Sequence, residues 1–177
     1  MIDTFPSLTT ERLSLEPVIA SDQGFIYEGL SHPQVIPFFG VSYTSLEATE
    51  AQMNWYEKMY REGTGISWKI VSKENGDRLG VISVYYYKPE HQKAEIGFWL
   101  LPEAWNQGFA SEAIKAVIHY WKSVKSLHRM EAFVEEGNTS SSRLLEKNGF
   151  RLEGMMKDCE KKEGRFISLL VYALLLD

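Results

Sequence analysis

Between Glu95 and Lys125 the chain passes from a strand into a long helix, and this junction narrows the architectures open to it. Ala94 to Leu101 is rich in β-formers and is stopped by Pro102. Over Gln107 to Lys125, Ala110, Ala113, Ile114, Val117, Trp121 and Val124 recur at a helical period. The linking residues, Trp105-Asn-Gln-Gly-Phe-Ala-Ser111, put small side chains where the helix opens. Backbone N–H groups in such a loop converge on one point and the helix dipole favours an anion there, so a pyrophosphate fits. No Lys-Ser/Thr pair stands at P-loop spacing and only one glycine of a dinucleotide fingerprint is present, which removes those two phosphate-binding classes.

The remaining elements follow from pattern. Arg12-Leu-Ser-Leu-Glu16 alternates like a strand and meets Pro17, and Ser21 to Leu30 reads as a short helix. Thr44 precedes Glu47 at the spacing of a capping box, predicting a helix from there to about Arg61, ended by Gly63 and Gly65. Ile66 to Ser72 and Leu79 to Tyr87 form a hairpin about Glu74-Asn-Gly-Asp77, and Ala94 to Leu101 continues the antiparallel meander. A strand at Met130 to Val134 leads to a helix at Thr139 to Asn148, with Asn138 as N-cap and Gly149 as stop. Phe166 to Leu174 is almost wholly apolar, which predicts a central strand.

Composition closes off several functions. The 177 residues suit one domain over 1–177, and a formal charge of −5, from 19 Lys and Arg against 24 Asp and Glu, argues against direct nucleic-acid binding. Cys159 is the lone cysteine, excluding an internal disulfide, and His32, His91, His119 and His128 lack zinc-ligand spacing, so no metal is implied. The start lacks the pattern of a signal peptide, and the longest apolar run, Leu169 to Leu176, falls well short of the roughly 20 residues that span a bilayer. The expectation is a cytoplasmic protein without a membrane, as monomer or homodimer.

Four motifs in order, Thr10-Glu-Arg-Leu-Ser-Leu-Glu-Pro17, Glu95-Ile-Gly-Phe-Trp-Leu100, Trp105-Asn-Gln-Gly-Phe-Ala-Ser-Glu112 and Asn138-x-x-Ser-x-x-Leu-Leu-Glu-Lys-x-Gly-Phe150, resemble the GNAT acetyltransferases. The closest likeness is to the Rim-type branch, which acts on ribosomal-protein N-termini, and it extends from about Thr10 to Leu174. The resemblance implies an α/β (α+β) fold: a mixed, strongly curved sheet, helices on both faces, and splayed central strands holding acetyl-CoA. It implies that the backbone of Phe98, Trp99 and Leu100 pairs with the pantetheine arm and polarises the thioester carbonyl. It also gives Asn106, Gln107, Gly108, Phe109, Ala110 and Ser111 to the pyrophosphate and Asn138 to the pantetheine or phosphate region. Two positions depart from the superfamily: Trp105 replaces its usual Gln or Arg, and Leu145 stands where many members carry a tyrosine that protonates the thiolate. Ser141 or a water becomes the candidate acid.

The implied chemistry is direct attack of a neutral amine on the thioester. Neutralising an α-amine of pKa near 7.8 costs about 1 kcal/mol at pH 7, against about 4.6 kcal/mol for a lysine near 10.4, so a protein N-terminus needs only a modest base. Glu160 matches the proposed catalytic glutamate of the Rim-type branch, although the charged run Asp158 to Glu163 reads otherwise as a solvated loop. Glu95 and Glu131, on strands, follow as bases acting through a water. Phe38-Phe39 and Tyr85-Tyr-Tyr87 suit either an acceptor cleft or plain packing. The expected reaction is acetyl transfer to a primary amine, foremost the α-amine of a protein such as a ribosomal protein. Transfer to a polyamine, amino sugar or antibiotic, and a non-catalytic acyl-CoA-binding module, stay open as alternatives.

Overall fold

The computed structural model describes residues 5–176. Along the chain run β1 (Leu8–Thr9), β2 (Leu13–Pro17), α1 (Gln23–Ser31), α2 (Glu50–Arg61), β3 (Ile66–Ser72), β4 (Arg78–Lys88), β5 (Lys93–Leu100), α3 (Phe109–Lys125), β6 (Arg129–Glu135), α4 (Thr139–Lys147), β7 (Arg151–Lys162) and β8 (Arg165–Leu175). The strands form one eight-stranded sheet in the order β1-β2-β3-β4-β5-β6-β8-β7. Every neighbouring pair is antiparallel except β5 and β6, which run parallel, so the sheet is mixed.

Alternation along each strand sorts apolar side chains to two cores. On one face Ile82, Val84, Ala94, Ile96, Met130 and Ala132 meet the buried stripe Ala113, Ile114, Val117 and Trp121 of α3, and Leu145 of α4. On the other, Val81 and Trp99 meet Phe25, Ile26 and Leu30 of α1 and Tyr56 and Met59 of α2. Helices therefore cover both faces, and α3 starts where the strand-to-helix junction predicts.

Three expectations are corrected. Thr44 and Glu47 do not cap α2: Ser45 opens a preceding turn, its hydroxyl accepting from Ala48 N–H at 3.1 Å and its carbonyl from the Thr49 hydroxyl at 3.0 Å, and the regular helix begins at Glu50. The apolar strand β8 is not central, since it lies between β6 and the edge strand β7. Its apolar character follows instead from lying over the core, to which Tyr172 contributes and against which Leu170 and Leu174 pack. Finally, the charged run assigned to a loop belongs mostly to β7, whose residues from Arg151 to Lys161 are exposed, so no buried face imposes an alternating pattern on it.

Candidate active site at the parting of two strands

The parallel pairing of β5 and β6 covers only Lys93–Arg129, Ala94–Met130 and Glu95–Glu131. Beyond it β5 continues to pair with β4 as far as Leu100, and β6 pairs with β8 as far as Glu135, so the two strands part and leave a gap. The Leu101 N–H donates to Leu79 on the β4 side at 2.8 Å. Peptide groups alternate in direction along a strand, so those of Trp99 face β4 and those of Phe98 and Leu100 face the gap. Trp99 turns its ring into the core against Phe25, with ring centroids 5.3 Å apart. Of the three residues that the resemblance gives to pantetheine, Phe98 and Leu100 thus present backbone to the opening. The Leu100 carbonyl is already engaged: the Trp105 indole N–H donates to it at 2.8 Å, anchoring the loop to the strand.

That loop ends at Gly108, whose φ of +82° is costly for any side-chain-bearing residue and turns the chain into α3. No side chain caps the helix, and the Glu112 N–H is the first to find an intrahelical acceptor, at Gly108. The N–H groups of Phe109, Ala110 and Ser111 are left pointing outward at the positive end of the dipole. Asn106 and Gln107 lie exposed in the loop, with the Gln107 amide donating to the Glu103 carbonyl at 2.5 Å. The buried Ser111 hydroxyl donates to Asn148 Oδ1 at 2.9 Å, tying α3 to α4, so only its N–H is free for an anion.

A brace of distant charges holds this loop. Arg12 donates from Nε and Nη2 to Glu112 Oε2, each at 2.7 Å, and from Nη1 to the Gln107 carbonyl at 2.9 Å. Its guanidinium also lies 4.5 Å from the Phe109 ring centre. The Arg12 N–H and the Thr10 hydroxyl donate to Glu112 Oε1 at 2.9 and 2.5 Å. Burial pushes the Glu112 carboxyl up, but hydrogen bonds from Thr10 and Arg12, with the Arg12 charge, outweigh it and hold it below the usual carboxylate range. Sequence reasoning missed this brace because ion pairs a hundred positions apart leave no local signature.

Asn138 caps α4 as predicted, its Oδ1 accepting from Ser141 N–H at 3.2 Å. The cap leaves the Asn138 amide N–H₂ and the half-buried Ser141 hydroxyl for other work at the helix N-terminus. Leu145 is buried in the core beneath them.

The opposite face carries the carboxylates. Tyr85 packs over Gly97 of β5, with its hydroxyl 3.1 Å from where a Cβ would project, and Trp55 stands edge-on at 5.7 Å. Burial pushes the Tyr85 phenol far up, and the charges of Glu95, Tyr86 and Glu160 push it further. Glu95 is raised by burial first and then by Glu131, against Lys93 and Lys88. Glu131 is occupied: Arg129 donates to it at 2.7 Å and Lys93 at 3.1 Å. Although burial pushes its carboxyl up, those partners overcome the effect and keep it low, so it is a poor base. Glu160 is exposed near the end of β7, while Ser141 belongs to the helix layer on the α3 and α4 side.

The acetyltransferase (GNAT) domain family matches residues 12–151. The chain is 33% identical over 171 residues to the uncharacterized N-acetyltransferase YoaA of Bacillus subtilis, covering 96% of this chain and 97% of that one. It is 26% identical over 163 residues to the ribosomal-protein-serine acetyltransferase of Escherichia coli, covering 92% and 86%. Among solved structures, a ribosomal L7/L12 alpha-N-protein acetyltransferase in complex with coenzyme A aligns with TM-score 0.87 at 21% identity over 97% of this chain and 99% of that one. The spermidine N-acetyltransferase of Vibrio cholerae, solved with CoA and spermine, aligns with TM-score 0.82 at 21% identity over 94% and 96%. The chain belongs to the GNAT acetyltransferases, as the parted strands and the uncapped helix lead one to expect. It is an acyltransferase, and its reaction class is N-acetyl transfer.

Proposed function

We propose that the protein transfers acetyl from acetyl-CoA to the N-terminal α-amine of a protein, a ribosomal protein being the leading candidate. The observation that carries the reading is the early end of β5–β6 pairing, which opens the backbone of Phe98 and Leu100 to a gap near the bare N-terminus of α3. These groups fit the co-substrate. Phe98 offers a strand-like edge to an amide-bearing arm, Phe109 to Ser111 offer N–H groups to a pyrophosphate, and the Asn138 amide offers a further donor.

In this reading the amine nitrogen attacks the thioester carbon, forming the C–N bond while the C–O π electrons move to oxygen. A gap-facing N–H of β5 stabilises the oxyanion. Collapse breaks the C–S bond, Ser141 or a water it holds returns a proton to the thiolate, and Glu160 takes the ammonium proton directly or through water. A protein N-terminus suits this machinery because its α-amine asks so little of the base. Likeness to the ribosomal-protein-serine enzyme over 92% of the chain supports the same acceptor. A small polyamine is the second reading, supported by likeness to an Escherichia coli spermidine acetyltransferase over 49% of the chain.

The test follows CoA thiol release from acetyl-CoA with seryl and alanyl N-terminal peptides, lysine peptides, polyamines and amino sugars. Release driven by the N-terminal peptides is the expected result. Release with polyamines alone moves the assignment to the second reading, and none with any amine overturns both.

A further inference from the structure

We propose that Lys162 is a positioning residue, which holds Glu160 on the sheet face that also carries Tyr85 and Glu95 by clamping the free end of the β7–β8 hairpin to β6 and to the loop of Ile36–Phe38. This rests on Glu160 as the base proposed above.

Little else steadies that end of the hairpin. β7 is an edge strand of the sheet and, among the described residues, pairs only with β8. Its register breaks between Met156 and Glu160, with Asp158 in the left-handed region at φ +50°, and the ladder resumes as Glu160–Ile167, Lys161–Phe166 and Lys162–Arg165. A hydrogen bond from Asp158 N–H to Ser168 Oγ, at 3.1 Å, secures the bulge. The terminal ladder is a short two-stranded ribbon, and such ribbons are marginal unless something packs against them.

Residues two apart on a strand share a face, so Glu160 and Lys162 project to the same side. The Lys162 ammonium donates to Glu135 Oε2 at 2.7 Å and also to the Pro37 carbonyl. Glu135 is the last residue of β6, the strand that bounds the gap. Just beyond it, Phe38 Cε1 lies 3.9 Å from where a Cβ on Gly137 would stand, so the same loop reaches the turn that leads to Asn138. Two segments far apart in sequence thus meet at the ammonium group carried by a third, the β7–β8 hairpin. The Lys162 side chain is only 26% exposed and that of Glu135 only 18%, so water competes for the pair less than on an open surface. With the ammonium gone, the ribbon swings freely and the Glu160 carboxylate with it. Loss of alignment on the scale of 1 Å lowers turnover by up to roughly 10²-fold.

The experiment uses the full chain with acetyl-CoA and a seryl N-terminal hexapeptide, comparing Lys162→Met, Lys162→Arg, Glu135→Gln, Glu160→Gln and the double variant Glu160→Gln/Lys162→Met. Thermal melts and calorimetric acetyl-CoA affinity are measured in parallel. Lys162→Met is expected to lower kcat about tenfold or more with acetyl-CoA affinity unchanged, Lys162→Arg to restore most of it, and the double variant to be no slower than Glu160→Gln alone. Glu135→Gln weakens the clamp from its other end and should lower kcat in the same direction, which keeps the test decisive if Lys162→Met folds poorly. Wild-type turnover in Glu160→Gln defeats the base assignment and the clamp with it. A slow Glu160→Gln beside a normal Lys162→Met, or losses that multiply in the double variant, overturns the clamp alone.

Discussion

Replacing Arg12 with alanine removes the two side-chain N–H donors to Glu112 Oε2, the hydrogen bond to the Gln107 carbonyl and the stacking on Phe109. The Arg12 side chain is 44% exposed and that of Glu112 19%, so the ion pair is screened and contributes about 1 kcal/mol. The bond to the Gln107 carbonyl adds about 1 kcal/mol more, giving a stability loss of roughly 2 kcal/mol. Binding suffers for a second reason. Glu112 is then an unbalanced negative charge one turn into α3 that would repel a bound phosphate; two unit charges about 8 Å apart at an effective dielectric near 40 repel by about 1 kcal/mol. Together with the looser loop, the cost to acetyl-CoA affinity is about 1–2 kcal/mol, or roughly a 5- to 30-fold rise in Kd. Calorimetry on Arg12→Ala measures it, and Arg12→Ala/Glu112→Gln separates the causes, because removing the charge restores the electrostatic share without rebuilding the brace. Wild-type affinity in a folded Arg12→Ala protein refutes the reasoning.

Three further outcomes are expected. Glu160→Gln and Ser141→Ala each lower turnover about 10²-fold while leaving acetyl-CoA affinity nearly intact; steady-state rates at saturating acetyl-CoA check this, and unchanged turnover removes the residue from the mechanism. Gly29→Ala sets a Cβ 2.2 Å from two ring atoms of the buried Trp99, so it should destabilise by about 1–3 kcal/mol in denaturant melts, and a neutral result means that the ring is free to move. The raised Glu95 carboxyl makes its ionised form a cost to the fold, absent below its ordinary value of 4.5 and growing as pH rises toward the raised folded value. Glu95→Gln should therefore melt above the parent near pH 8, by a margin that shrinks on acidification below 4.5, and a margin independent of pH contradicts the burial argument.

The junction of β5 and α3 was legible because a period of two gives way to a period of 3.6 across a proline and a glycine. The N-cap at Asn138 was legible for a similar reason, since its partner Ser141 lies within one turn. β7 was not: with both sides of the strand open to water, nothing selects apolar residues at alternate positions, and a stretch such as Lys157-Asp-Cys-Glu-Lys-Lys162 has the composition of a loop. The start of α2 misled because Thr44 and Glu47 satisfy a spacing rule while Ser45 makes the bonds that shape the turn. At the site, residue pattern indicated where a phosphate would meet a helix, whereas the parting of β5 from β6 was indicated by the family resemblance alone, because it consists of missing bonds that leave no local pattern. Nor did it separate Glu95 from Glu131, neighbours in register whose fates diverge because Arg129 and Lys93 engage one of them.

The short parallel seam also bears on how the sheet is assembled. β1 to β5 are joined in sequence order by antiparallel pairing, while β6, β8 and β7 form a second ribbon, and the two meet through Lys93–Glu95 against Arg129–Glu131. Pairings between chain neighbours form quickly, whereas the seam must wait for α3 to cross over between β5 and β6. On the proposed reading, a thioester arm lying in the gap would act as a borrowed strand, supplying amides where the polypeptide has none. Hydrogen exchange should show this as slower opening of Phe98 and Leu100 when the co-substrate is present, with the early meander barely altered. On that reading, the place where the molecule works is also the suture between its two halves, closed in part by the compound it consumes.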